Sequence, residues 1–260
     1  MELRGWRYTG RNLGPDFHRQ IRIILDRLED PAFLGNDTWG HPLQERLAKE
    51  IGAGSSGVIR TLKAACVSFG FLNDKPFRSY NPLRAQELIT PRGQVVHRVA
   101  VLEQQAAALE KDPETKKEIA AQIKSLYEEV YCDAMRDYCI HNGDGTKLHP
   151  LGAALRALER YGTLNWWEWY LLNTFVRRDG DSQGEALLDD AMERYRAGKL
   201  RFSSVDIVEN PKGHQYLPQH FDFAGLISLT QATRWQVTDS GRHQDVKAAV
   251  LGKKEDGEDE

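Results

Sequence analysis

Ser55, Ser56, Arg60, Thr61 and Lys63 bring hydroxyls, a guanidinium and an ammonium into one short stretch. A guanidinium can bond guanine O6 and N7 together, whereas hydroxyls and an ammonium suit phosphate oxygens. A second group is Asp206-Ile207-Val208-Glu209-Asn210-Pro211-Lys212. Clustered carboxylates with a lysine can hold Mg²⁺ and activate a water. Here the Glu-to-Lys spacing is one residue too long, and Pro211 would break the strand that should present both groups, so the segment reads as a polar loop. Cys132, Cys139, His141 and His149 are metal-capable, but six residues between cysteines is not a zinc spacing, and they read as apolar thiols on a helix. Trp166, Trp167 and Trp169 could stack bases; three Trp on one helix more often fill a core. His214 and His220 beside Tyr216 and Phe221 read as a surface loop with core aromatics. There is no Gly-rich phosphate loop, no Gly-x-Ser-x-Gly and no nucleophilic triad.

Helices and turns must position these groups. Residues 1–15 are rich in Arg, Gly and aromatics without period and read as a basic arm, whose Arg7 and Arg11 suit phosphates. Ile21, Ile23, Ile24, Leu25 and Leu28 predict an amphipathic helix. Leu43, Leu47, Ala48 and Ile51 predict a second, broken by Gly52-Ala53-Gly54. Ser55 or Ser56 then caps a third. With Val58, Leu62 and Ala65 inward, Ser56, Arg60, Thr61 and Lys63 face out.

A pattern then occurs twice. Gly70-Phe71-Leu72 and Leu88-Ile89-Thr90-Pro91-Arg92-Gly93 answer Gly225-Leu226-Ile227 and Trp235-Gln236-Val237-Thr238-Asp239-Ser240-Gly241-Arg242. Each copy reads as a helix ending at Gly, a strand, a turn, a returning strand and a Thr-capped helix. That is the end of a winged helix-turn-helix module. Arg78 and Tyr80, between the first pair of strands, and Arg92 at their exit suit backbone phosphates. Each of these candidates also reads as an ordinary solvated residue.

The predicted fold is mainly α with small β-hairpins: two winged helix-turn-helix-like modules on a long helical connector. The boundaries are a basic arm at 1–15, a first module at 16–102, a connector at 103–145, a second module at 146–251 and an acidic disordered tail at 252–260. In the connector Asp112-Pro113-Glu114 starts a helix whose stripe is Ile119, Ile123, Leu126 and Val130. Asn142-Gly143-Asp144-Gly145 ends it. Leu151, Leu155 and Leu158 stripe the next helix, and Thr163 caps the Trp-rich one.

Composition sets bounds on function. The chain has 260 residues, 40% hydrophobic and 28% charged, which suits a globular protein and not a disordered one. No stretch approaches a membrane span, and three cysteines, an odd number, read as reduced thiols in a cytoplasmic setting. The net charge of −3 opposes nucleic-acid binding, but residues 1–98 carry 15 Lys+Arg against 10 Asp+Glu, and the tail 2 against 5. The basic amino-terminal part permits phosphate contacts without demanding them.

This succession resembles the DNA-recognition region of type IIS restriction endonucleases and related nicking enzymes, the AlwI, MlyI and PleI group. Trp6-Arg7-Tyr8-Thr9-Gly10-Arg11-Asn12 answers the family's short arm. Ser55-Ser56 through Gly70-Phe71, with Thr90-Pro91-Arg92-Gly93, answers its first winged helix. His149-Pro150-Leu151, Gly162-Thr163-Leu164-Asn165-Trp166-Trp167-Glu168 and Phe221-Asp222-Phe223-Ala224-Gly225-Leu226 answer its second module. The resemblance covers nearly the whole chain as a series of short motifs. In that family a PD-(D/E)xK nuclease domain follows, and the catalytic pattern is not found in this sequence.

The expectation is therefore sequence-specific recognition of double-stranded DNA, with Ser56, Arg60 and Thr61 reading bases. Arg7, Arg11, Ser55, Lys63, Arg78, Tyr80 and Arg92 would hold the backbone. No cofactor is expected in this chain, Mg²⁺ entering only with a separate nuclease domain or subunit. No membrane partner is expected. The alternatives are a winged-helix transcriptional regulator, a phage-defence DNA sensor with no nuclease partner, and a small enzyme using the histidines.

Overall fold

Apolar residues at helical spacing build the part of the chain between Thr9 and Ala134, one of two compact units into which this computed structural model divides. The other unit joins Met1–Tyr8 to the chain from Met135 onward. The structure describes residues 1–8, 11, 13, 16–109, 112–209, 212–238, 244, 246 and 248. Among them the protein is mainly helical, with seven strands of two or three residues.

In the 9–134 unit, α1 (Phe17–Glu29) buries Phe17, Ile21, Ile24, Leu25 and Leu28. A short α2 (Pro31–Leu34) starts where the Asp30 carboxylate accepts from the Ala32 N–H. Then α3 (His41–Glu50) packs against α4 (Ser56–Ser68), with Gly52 at φ +71 turning the chain between them. The buried stripe of α4 is Ile59, Leu62, Ala65 and Cys66. It is rotated from the predicted one, leaving Val58 half-buried.

The first predicted hairpin does not form among the described residues. Leu72 and Ile89 make one isolated antiparallel bridge, and between them run a 3-10 turn (Lys75–Arg78) and α5 (Ala85–Leu88). Pro76 and Pro82 remove N–H donors that a ladder would need. Thr90 caps α6 (Pro91–Ala107) as predicted, its hydroxyl accepting from the Gly93 N–H, and α6 lies along α1. The predicted bridge α7 (Pro113–Asp137) is mostly exposed over its first half and buries one face over its second. Tyr127, Val130, Tyr131, Cys132, Ala134 and Met135 are buried, while Leu126 of the predicted stripe is exposed. Ile123 has both Leu126 and Tyr127 at helical spacing, and the larger ring takes the core position.

In the other unit, β1 (Leu3–Arg4) pairs in parallel with β5 (Ile207–Glu209). A hairpin of β2 (Ile140–His141) and β3 (Lys147–Leu148) closes over Asn142-Gly143-Asp144-Gly145, where Gly145 takes φ +84. There follow α8 (Pro150–Tyr161), β4 (Thr163–Leu164), α9 (Trp166–Phe175), α10 (Ser182–Arg196), β5 (Ile207–Glu209), α11 (Gly213–Phe223), β6 (Ile227–Leu229) and β7 (Trp235–Val237). The predicted second hairpin is present: β6 pairs antiparallel with β7, and β4 joins on the far side of β7, giving the order β4-β7-β6. Thr163 lies in β4; the cap of α9 is Asn165, in a capping box with Glu168. α8 covers β7 and β4, and α11 packs on β6 and α9. The expected caps Asp239-Ser240, the helix end near Leu251 and the tail 252–260 lie outside the described residues.

Candidate nucleic-acid interface

The repeated pattern is a repeated geometry. Gly70 and Gly225 both take φ +70, where a side chain is strained. The Thr90 hydroxyl donates to the Gly70 carbonyl at 2.6 Å, and the Thr238 hydroxyl to the Gly225 carbonyl at 2.6 Å. The Thr90 N–H donates to the Phe71 carbonyl at 3.1 Å, and the Thr238 N–H to the Leu226 carbonyl at 3.2 Å. Each helix before the glycine is thereby tied to the segment that returns past it.

Before the first junction, α4 carries most of the expected readers, and the structure separates them. Arg60 is exposed and its guanidinium has no partner among the described residues. Ser55 is exposed at the N-cap position but makes no side-chain capping bond; Ser56 begins the helix half-buried. Thr61 is not free to read a base, because its hydroxyl donates to the Gly57 carbonyl at 3.1 Å one turn back. Lys63 is not a free phosphate contact either: its ammonium bonds Asp74 at 2.5 Å and lies 5.0 Å from the Phe77 ring centre.

Asp74 also takes Arg78, whose guanidinium bonds the same carboxylate. Burial would push that carboxyl up, but Lys63 and Arg78 hold it below the ordinary aspartate value. Arg92 is a structural residue, donating to the Phe69 carbonyl at 3.1 Å and closing the space beside Gly70. Arg11 is half-buried and bonds the Gln20 side chain at 3.0 Å. Tyr80 is 98% exposed, which keeps its ring available to a partner.

The amino-terminal segment corrects the arm. Leu3 and Trp6 are buried; the Trp6 backbone N–H donates to the Asn173 side-chain oxygen at 2.8 Å, and its indole N–H donates to the Val176 carbonyl at 2.8 Å. The apolar Leu3 and Trp6 dock this segment although it lacks a helical or strand period. Arg7 remains exposed and bridges Lys212 through the backbone. Thr9, Gly10 and Asn12 of the arm lie outside the described residues. Burial pulls the nearby Arg177 guanidinium down; Glu209 opposes this, and Arg4 and Arg7 add like charge.

The metal-capable residues do other work. The Asp206 carboxylate accepts from Ser203 and closes its own turn, and Glu209 lies 4.0 Å from Arg177. His149 bonds Asp179 at 2.7 Å; Cys132 is buried on α7, whereas Cys139 lies past the end of that helix and is half-buried. Among the described residues no His, Cys, Asp and Glu side chains group as metal ligands. No helix among them is long and apolar enough to cross a membrane.

The Trp-rich helix divides by face. Trp169 is buried, while Trp166 is 47% exposed and meets His214 edge-on at 4.7 Å. His214 stacks on Tyr170 at 4.0 Å, and burial pushes its imidazole down to about 4. Glu168, quoted above only as part of a motif, has a role that the sequence does not mark. It is buried, with Arg196 at 2.6 Å on one oxygen and Arg234 at 2.6 Å on the other, and it accepts the Asn165 N–H at 2.7 Å. The start of α9, the end of α10 and the β6–β7 hairpin are thereby joined through one carboxylate. An aspartate or glutamate in a capping box is a common helix start, and nothing in the spacing marks two distant arginines as its partners.

No protein-family model matches the chain, and no curated protein matches its sequence.

Proposed function

We propose that the chain recognises a specific sequence in double-stranded DNA with a helix-turn-helix in the 9–134 unit and a winged-helix module in the other, as the target-recognition part of a restriction system. The observation that carries the reading is the order α8-β4-α9 followed, after α10 and β5, by α11-β6-β7 with the strand order β4-β7-β6. A strand between the first two helices that joins the hairpin after the last helix supports a winged-helix reading of this unit. The Gly–Thr junction repeats in the 9–134 unit, where α3, a tight turn and α4 support a helix-turn-helix reading.

Arg60 is the base reader on α4, exposed and uncommitted, and its guanidinium matches a guanine edge. Ser55 and Ser56 at the start of that helix and Tyr80 on the neighbouring loop meet the backbone. Asp206 and Glu209 are engaged within the fold, which supports recognition here and cleavage chemistry on a separate domain or subunit.

Fluorescence-anisotropy titration with labelled duplex at several salt concentrations tests this. Binding should weaken linearly in log salt, as counterion release requires. Arg60→Ala should cost about 1–3 kcal/mol on a cognate duplex and much less on random duplex. Equal losses on both would remove Arg60 from the reading role, and salt-independent binding would oppose phosphate contact altogether.

A further inference from the structure

We infer that α11 is a second duplex-reading helix, with Gln215 and Gln219 suited to adenine edges and Arg7 and Lys212 holding the adjoining phosphates. This rests on the duplex-DNA reading above and adds a reading face that the sequence did not suggest.

The burial of α11 divides it cleanly. His214, Leu217, Pro218, His220 and Phe221 are buried, whereas Gln215, Gln219 and Asp222 are exposed at i, i+4 and i+7. Those three share one solvent face. Neither glutamine side chain has a partner among the described residues. A primary amide offers a donor and an acceptor side by side, the pair that matches adenine N7 and N6.

Charge orients the face. Arg7 and Lys212 are exposed and sit side by side through their backbone bridge at the start of the stripe. Neither has a carboxylate partner among the described residues, unlike Arg4, which pairs with Glu2 at 2.9 Å, and Arg177, which faces Glu209. Lys212 lies 5.7 Å from the Tyr216 ring centre, a contact that leaves its charge unneutralised. Asp222 puts negative charge at the other end. Phosphates are therefore favoured beside Lys212, with Gln215 nearest the groove.

The placement is built in. Lys212 holds φ +65, in the left-handed region, and a Cβ on Gly213 would come within 2.4 Å of the Trp6 carbonyl oxygen. The segment holding the buried Trp6 thus fixes Arg7 against the start of α11.

The test uses the full chain and duplexes enriched by it from a random pool. Gln215→Ala or Gln219→Ala should lower affinity for the enriched duplex by about 5- to 150-fold while leaving random duplex unchanged. Replacing one adenine by 7-deazaadenine should weaken the wild type and not the matching glutamine variant. Arg7→Ala and Lys212→Ala should weaken all duplexes alike and flatten the salt dependence. If the wild type binds selectively but both glutamine variants keep every base preference, the inference fails and the reading beneath it stands. If the wild type selects no sequence, both fall.

Discussion

Thr90 and Thr238 make the same bond in two units of the chain: each donates its hydroxyl, at 2.6 Å, to the carbonyl of the glycine that ends the preceding helix. At Thr90 the hydroxyl oxygen also accepts from the Gly93 N–H at 3.0 Å, so one atom closes α4 and opens α6. Thr90→Val removes both bonds while keeping the shape. The loss should be about 1–3 kcal/mol, read as a lower urea midpoint with unchanged slope. An unchanged midpoint would show that the junction is held by packing alone.

Glu168 offers a sharper test of the Met1–Tyr8 and Met135-onward unit. Truncating its charge leaves Arg196 and Arg234 facing a neutral amide in a buried place. Breaking a buried pair from one side costs about 3–5 kcal/mol. Glu168→Gln should therefore melt this unit early, with loss of near-ultraviolet signal from Trp169. Replacing the carboxylate and both arginines with apolar residues should recover much of that loss.

The docked amino-terminal segment predicts that Trp6→Ala destabilises by about 3–5 kcal/mol, in line with large aromatic-to-alanine changes in cores. Hydrogen exchange at residues 3–6 and 207–209 should quicken together, since β1 and β5 share bonds. A melting temperature left untouched would return residues 1–8 to the role of a free arm.

His214 gives a pH dependence of known sign. Folded, its imidazole stays neutral down to about 4, because burial disfavours the charged form. Unfolded, it protonates near an ordinary value of about 6.5. The unfolded chain binds the extra proton between these values, so stability is full above about pH 6.5 and falls as the pH drops toward 4. His214→Phe should make that fall shallower than in the wild type, measured by urea midpoints at neutral and acid pH. Identical slopes would mean that the imidazole is charged in the folded protein.

Much of the fold was legible because period, caps and glycine positions act locally. The stripes of α1, α3 and α8, the Thr90-Pro91 start and the two left-handed glycines follow from spacing and side-chain chemistry. The first hairpin was misread because Phe71-Leu72 and Leu88-Ile89 look like strands, while Pro76 and Pro82 between them deny the ladder its donors. Site residues were harder. Exposure of Arg60 follows from the α4 stripe, but commitment of Lys63 to Asp74 and of Arg92 to Phe69 depends on loops whose path no period encodes. The docking of Trp6 on Asn173 and Val176 joins residues far apart in sequence, beyond any local signal.

Selection of duplexes from a random pool by the full chain tests the central claim most directly. The account predicts enrichment of one discrete motif, bound about 10³-fold or more tightly than random duplex at physiological salt. Within it, Arg60→Ala should relax one guanine position. A pool that stays random through successive rounds, with the folded chain shown to be present, would contradict sequence-specific DNA recognition.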